Sequence, residues 1–131
     1  MISQGASATL SGKQLEDKVQ DLLEELGIAY TSQVKFTDCY GNSRSRMDFM
    51  VGDMAIECKR QEVGGTADQK MPFVYENLCL FNKGLLVLDG THFKTRKGIQ
   101  DYLNKRKSTK FDWCFIEDLK GWLENNICQD K

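Results

Sequence analysis

One proline, one histidine and no Cys-x-x-Cys pair occur among 131 residues, and each scarcity removes a class of function. With His92 as its only histidine, the chain lacks the second histidine or asparagine-rich finger that a histidine-based metal nuclease needs. Five scattered cysteines (Cys39, Cys58, Cys79, Cys114, Cys128) are odd in number, which argues against a disulfide framework and a structural zinc site. Most of them read as small core residues of a protein in a reducing compartment. No apolar run approaches the ~18 residues of a membrane span, and no charged-then-apolar amino terminus resembles a secretory signal. The expectation is a soluble cytoplasmic protein with no membrane partner. Neither a glycine-rich phosphate loop, a serine triad nor a nucleotide fingerprint is present, so no nucleotide cofactor is expected. Charge is nearly balanced at -1, and a globally basic nucleic-acid binder is not announced.

The length suits one compact core. We expect a loose tail over residues 1–10 and a single domain over 11–131. Ser11-x-x-Gln14 fits a capping box, and Leu15, Val19, Leu22, Leu23 and Leu26 form an apolar stripe that stops at Gly27. Glu16 lies beside that stripe, either at the core edge or facing solvent. Residues 28–37 read as a strand and 38–43 as a turn. After a flexible exit over 62–65, Thr66-x-x-Gln69 caps a helix that Pro72 either kinks or starts. The apolar run 85–88 predicts a buried strand, 95–107 a basic helix, 113–116 a short strand, and the segment from Glu117 a last helix. This order predicts an α/β or α+β domain, a mixed central sheet flanked by helices.

The chemistry concentrates between Ser45 and Gln61. Two apolar-rich runs flank Gly52-Asp53, a pair suited to a two-residue primed turn. That turn places Met47, Phe49 and Val51 opposite Cys58, Ile56 and Met54 on a core face. It places Asp48 opposite Glu57 and Arg46 opposite Lys59 on the other face, with Met50 and Ala55 near the turn. Like charges opposite one another are destabilising. Either water dilutes them, or the two carboxylates share a divalent cation while Arg46 and Lys59 face a phosphate.

A helix bearing Glu16, then Arg46-Met47-Asp48-Phe49, then Ile56-Glu57-Cys58-Lys59-Arg60-Gln61, resembles the PD-(D/E)XK nuclease superfamily with its restriction-endonuclease-like fold. The resemblance spans 11–88 in element order, and Met47 stands where the family's name has proline. It implies metal-dependent phosphodiester hydrolysis. Asp48 and Glu57, with the backbone carbonyl of Cys58, would hold Mg²⁺, with Mn²⁺ as a substitute. Lys59 would orient the attacking water and neutralise the phosphate, Gln61 would position water or phosphate, and Glu16 would complete the site as an outer ligand. Arg60 would project away from it. The segment 64–73 also looks like one that follows the catalytic lysine in restriction-like nucleases, which adds Lys70.

Seven basic residues against one acid, Asp101, occupy 94–110, a local patch usable for phosphate contacts or simply a solvated helix face. Arg46, Lys70, Lys94, Arg96, Lys97, Lys105 and Arg106 are the DNA-binding candidates, and His92 is expected in a loop or at the DNA. The resulting expectation is a Mg²⁺-dependent endonuclease acting on double-stranded DNA, restriction-like or homing-like, of the kind carried by phages and mobile elements. One centre cuts one strand, so a homodimer is expected for double-strand cleavage. A Holliday-junction or other branched-DNA resolvase is the alternative within the class, and a catalytically inactive DNA-binding or assembly module the alternative outside it.

Overall fold

A computed structural model describes residues 4–62 and 67–128. The elements run α1 (Gln4–Glu25), β1 (Thr31–Phe36), β2 (Ser45–Val51), β3 (Met54–Arg60), α2 (Ala67–Leu78), β4 (Lys83–Asp89), α3 (Thr91–Thr95), α4 (Lys97–Lys105), β5 (Phe111–Phe115) and α5 (Ile116–Asn126). The strands form one mixed sheet in the order β1-β2-β3-β4-β5. Short links make β1, β2 and β3 antiparallel, whereas β3, β4 and β5 are parallel because helices connect them. The fold is α+β, a five-stranded sheet with flanking helices consistent with the restriction-endonuclease-like architecture.

Both faces of the sheet are covered. On one, Leu15, Val19 and Leu23 of α1 and Leu119 and Leu123 of α5 pack on Phe49, Ile56, Leu85 and Val87. On the other, Met71, Val74 and Leu78 of α2, with Ile99 and Leu103 of α4, pack on Met47, Ala55, Leu86 and Leu88. Successive crossovers in one direction across a parallel sheet carry their helices to the same face, as α2 and α4 do. Two-sided burial explains why β4 is apolar without alternation, with Leu85, Leu86, Val87 and Leu88 all at 0% exposure. No described helix is long and apolar enough to cross a membrane.

Several expectations are corrected in detail. Helix α1 begins at Gln4, which puts the backbone of Ser11 in its interior instead of at a cap. Alanines at 6 and 8 and the absence of proline leave nothing to stop the helix there. Strand β1 is shorter than residues 28–37. Helix α2 runs through Pro72 from Ala67, while the flexible exit at 63–65 and the cap at Thr66 lie outside the described residues. The basic segment is broken at Arg96 (φ -102°, ψ 88°) into α3 and α4. Side chains stabilise that break: the Gln100 amide donates to the carbonyls of Phe93 (2.9 Å) and Lys94 (3.1 Å), ending α3.

Strand β4 leaves the sheet through Gly90, whose φ of 105° suits glycine and whose backbone nestles against Gln61. A β-carbon there would lie 2.2 Å from the Gln61 carbonyl oxygen. Gly90→Ala is therefore expected to cost about 3 kcal/mol or more of stability. Gly12→Ala, in helix α1 with open space around it, should be neutral or stabilising by up to ~1 kcal/mol. Urea denaturation of both variants checks the contrast.

Candidate active site

Strand β2 pairs on both sides, and both ladders fail at the same residue. Against β1 the pairs run Thr31–Met50 and Ser32–Phe49, skip Gln33 and Asp48, and resume at Val34–Met47. Against β3 they run Val51–Met54, Met50–Ala55 and Phe49–Ile56, and stop there. The expected hairpin register is thus present from the turn to Phe49, with Gly52 at φ 59°, and absent beyond it. Asp48 is not a ladder partner of Glu57, nor Arg46 of Lys59, nor Met47 of Cys58. Residues two apart on a regular strand share a face, yet Met47 packs with α2 and Phe49 with α1. The chain rotates at Asp48, opening a seam between β2 and the outer half of β3.

Repulsion between facing carboxylates supplies a reason for the opening, and side-chain hydrogen bonds replace the lost ladder. The Cys58 N–H donates to Asp48 Oδ2 at 2.8 Å. In return the Asp48 N–H donates to the Glu57 carboxyl, which when protonated donates to the Asp48 carboxylate. Lys59 Nζ lies 3.3 Å from Glu57 Oε2. Because a strand residue directs its N–H and C=O to the same edge, the Cys58 carbonyl faces this seam. Glu16, half-buried on α1, reaches the seam from the opposite face and accepts from Gln33 Nε2 at 3.4 Å.

The acids strain one another electrostatically. Burial, then the Asp48 charge, pushes the Glu57 carboxyl up to about 7. Burial also raises Asp48, although the Cys58 N–H and Lys59 oppose it. Glu16 is raised by burial and by Asp48. The Cys58 thiol, packed toward α1, is driven well above its usual range by burial and is no nucleophile. Among the described residues no three histidine, cysteine, aspartate or glutamate side chains cluster at metal-ligating spacing. The donor set is instead two carboxylates and one carbonyl. Oxygen donors of this kind suit a hard divalent cation that keeps several of its waters.

The remaining candidates divide by location. Arg46 is exposed beside the seam, its guanidinium on the Gln33 carbonyl at 3.3 Å. It lines a cleft with Glu57, Lys59 and Lys70. Arg60 turns away to Asp89 and Glu62. Gln61 lies just past β3, its N–H on the Asp89 carbonyl and its own carbonyl accepting from the His92 N–H. The basic segment is less free than its composition suggests. Lys94 pairs with Glu117, Arg96 with Asp68, and Arg106 stacks on Tyr102, whereas Lys97 and Lys105 are exposed without an ion pair among the described residues. His92 is neither in a loop nor at a surface: it is 7% exposed, its Nε2 2.6 Å from Asp68 Oδ1.

Three residues at the seam and cleft escaped sequence reasoning. Gln33 adopts φ 52°, the one non-glycine residue at positive φ among those described. It also hydrogen-bonds Asp48. No local pattern marks such a residue inside a strand. Tyr40 and Phe73, stacked at 5.1 Å between ring centroids, come from segments far apart in sequence and meet only in the fold. A family model described as a PD-(D/E)XK nuclease superfamily domain matches residues 7–118. No curated protein and no solved structure matches the chain.

Two outcomes are expected. A left-handed residue costs roughly 1–2 kcal/mol unless it is glycine, so Gln33→Gly should keep or raise the melting temperature. Gln33→Ala, which lacks the same amide bonds to Glu16 and Asp48, should melt below the glycine variant, and equal melting of the two would exclude the left-handed backbone. Without divalent cations, stability should fall as pH rises from about 4.3 toward about 7. Across that interval the native Glu57 retains a proton that the unfolded chain releases, so its contribution is present below and lost above. Glu57→Gln should flatten this dependence in thermal melts run in EDTA, and saturating Mg²⁺ should restore stability at pH 8.

Proposed function

The chain belongs to the PD-(D/E)XK nuclease superfamily, and on that premise we propose that it is a divalent-metal-dependent DNA endonuclease whose centre is Asp48, Glu57 and Lys59. The reading is carried by the open seam, where two half-buried carboxylates with raised proton affinity lie beside a lysine ammonium. Groups that perturb one another in this way cluster at functional sites.

Asp48, Glu57 and the Cys58 carbonyl would hold the ion, Mg²⁺ with Mn²⁺ as substitute. Bound there, it supplies Lewis acidity and neutralises charge at the scissile phosphate. Lys59 hydrogen-bonds the attacking water and the phosphoryl oxygens, favouring the extra negative charge of the transition state. Glu16 reaches the same water from α1, held by Gln33. Arg46 fixes a flanking phosphate, as do Lys70, Lys97 and Lys105 farther out, without reading sequence. One such centre hydrolyses one strand. Double-strand cleavage at a defined site follows most simply from a two-fold homodimer.

Lys59→Ala should lower Mg²⁺-dependent cleavage by at least ~100-fold while weakening DNA binding by no more than about tenfold. Asp48→Ala should abolish calorimetrically detected Mn²⁺ binding as well as cleavage. The assay is digestion of phage and plasmid DNA and of a synthetic four-way junction, in Mg²⁺ or EDTA. Cutting by either variant at the wild-type rate would remove these residues from the centre.

A further inference from the structure

On the α2 side of the seam lies a cleft of about 480 Å³ into which Glu57 and Lys59 open directly. Its floor is apolar, with Met47 and Leu78 fully buried beneath it. Its rim carries three cations, Arg46, Lys59 and Lys70. Its lip is the Tyr40–Phe73 pair, whose rings lie 20° from parallel. Tyr40 is 83% exposed, an unusual position for a large aromatic side chain on a well-fixed loop.

The loop that presents Tyr40 is braced from within. Buried Asp38 accepts from the N–H groups of Tyr40 and Asn42 (2.9 Å each) and from the Ser45 hydroxyl (2.7 Å). Burying it would raise its pKa, but these donors hold it below the usual aspartate value. Asn77 of α2, also buried, accepts from the Cys39 N–H at 2.9 Å and ties the loop to the far wall. The ring is thus preorganised for contact with something outside the chain.

We propose that this cleft receives one unpaired nucleotide of the DNA strand being cut. The base lies against the Tyr40–Phe73 pair, and its phosphates meet Arg46, Lys59 and Lys70. The proposal deepens the nuclease reading and rests on it. Apolar floor, aromatic lip and cationic rim match the two halves of a nucleotide, and the volume lies within the range of small-ligand sites. A base stacked in duplex offers only its edges, whereas an extruded or single-stranded base offers the face that an aromatic side chain can cover. The preferred substrate is therefore DNA with an unpaired residue beside the scissile phosphate, at a flap, mismatch or branch point.

The test measures fluorescence anisotropy of the full chain, in Ca²⁺ to prevent turnover, on a labelled single-stranded DNA and on the same strand with abasic residues, which keeps every phosphate. The intact strand should bind roughly tenfold more tightly. Tyr40→Ala, at an exposed position, should erase that difference, and Tyr40→Trp should restore it. Equal binding of the two strands by the wild type, or an unchanged preference in Tyr40→Ala, overturns the proposal. Cleavage in Mg²⁺ separates the two levels. Metal-dependent cutting without any base preference sinks the nucleotide cleft alone. A base preference with no cutting of any DNA leaves the cleft standing and sinks the nuclease.

Discussion

The hydrogen bond from the Cys58 N–H to the Asp48 carboxylate, 2.8 Å long, holds together two strands that have ceased to pair. A charge-assisted bond of this kind contributes about 1.5–3 kcal/mol, and it occupies a backbone donor that the missing ladder would otherwise leave unsatisfied. The same exchange sets the chemistry. It fixes one oxygen of Asp48 within the sheet and brings the Cys58 carbonyl to the open edge. It also draws Glu57 close enough to Asp48 that burial and repulsion move its carboxyl to about 7.

Around that bond the fold divides rigidity from openness. Strand β3 is paired with β4 along its whole length, from Met54–Lys83 to Arg60–Asp89. Glu57 and Lys59 are therefore carried by a strand whose other edge cannot move, while the seam toward β2 stays open for a phosphate. The helices on both faces hold the sheet in this half-open state. Helix α1 adds Glu16 as a by-product of burying Leu15 and Val19 on the same turns. A site on a supported strand keeps its geometry better than one on a loop.

Charge follows the same logic. Much of the basic segment is spent internally: Arg96 with buried His92 secures Asp68 at the start of α2, and Lys94 secures α5 through Glu117. Of that segment, Lys97 and Lys105 on α4 stay exposed without an ion pair among the described residues, beside the cations around the cleft. A run of lysines and arginines read as composition thus overstates the surface it provides, because ion pairs between elements are invisible until the elements meet.

Local pattern determined a large part of this protein. The 3.6-residue stripe of α1, the two-residue turn at Gly52-Asp53, the unbroken apolar β4 and the short motif Asp48…Glu57-x-Lys59 all depend on neighbours in sequence, so they were legible there. The fold brings Asp48, Glu57 and Lys59 of that motif to one seam. What only the tertiary structure decided depends on contacts between distant segments. The ladder breaks at Asp48 because the cost of facing carboxylates exceeds the gain of continued pairing. Gln33 is left-handed because it lies across that break. Tyr40 meets Phe73 because buried Asp38 and Asn77 hold a loop against α2. Each is a balance of energies summed over several elements, and no window of sequence contains all of the terms.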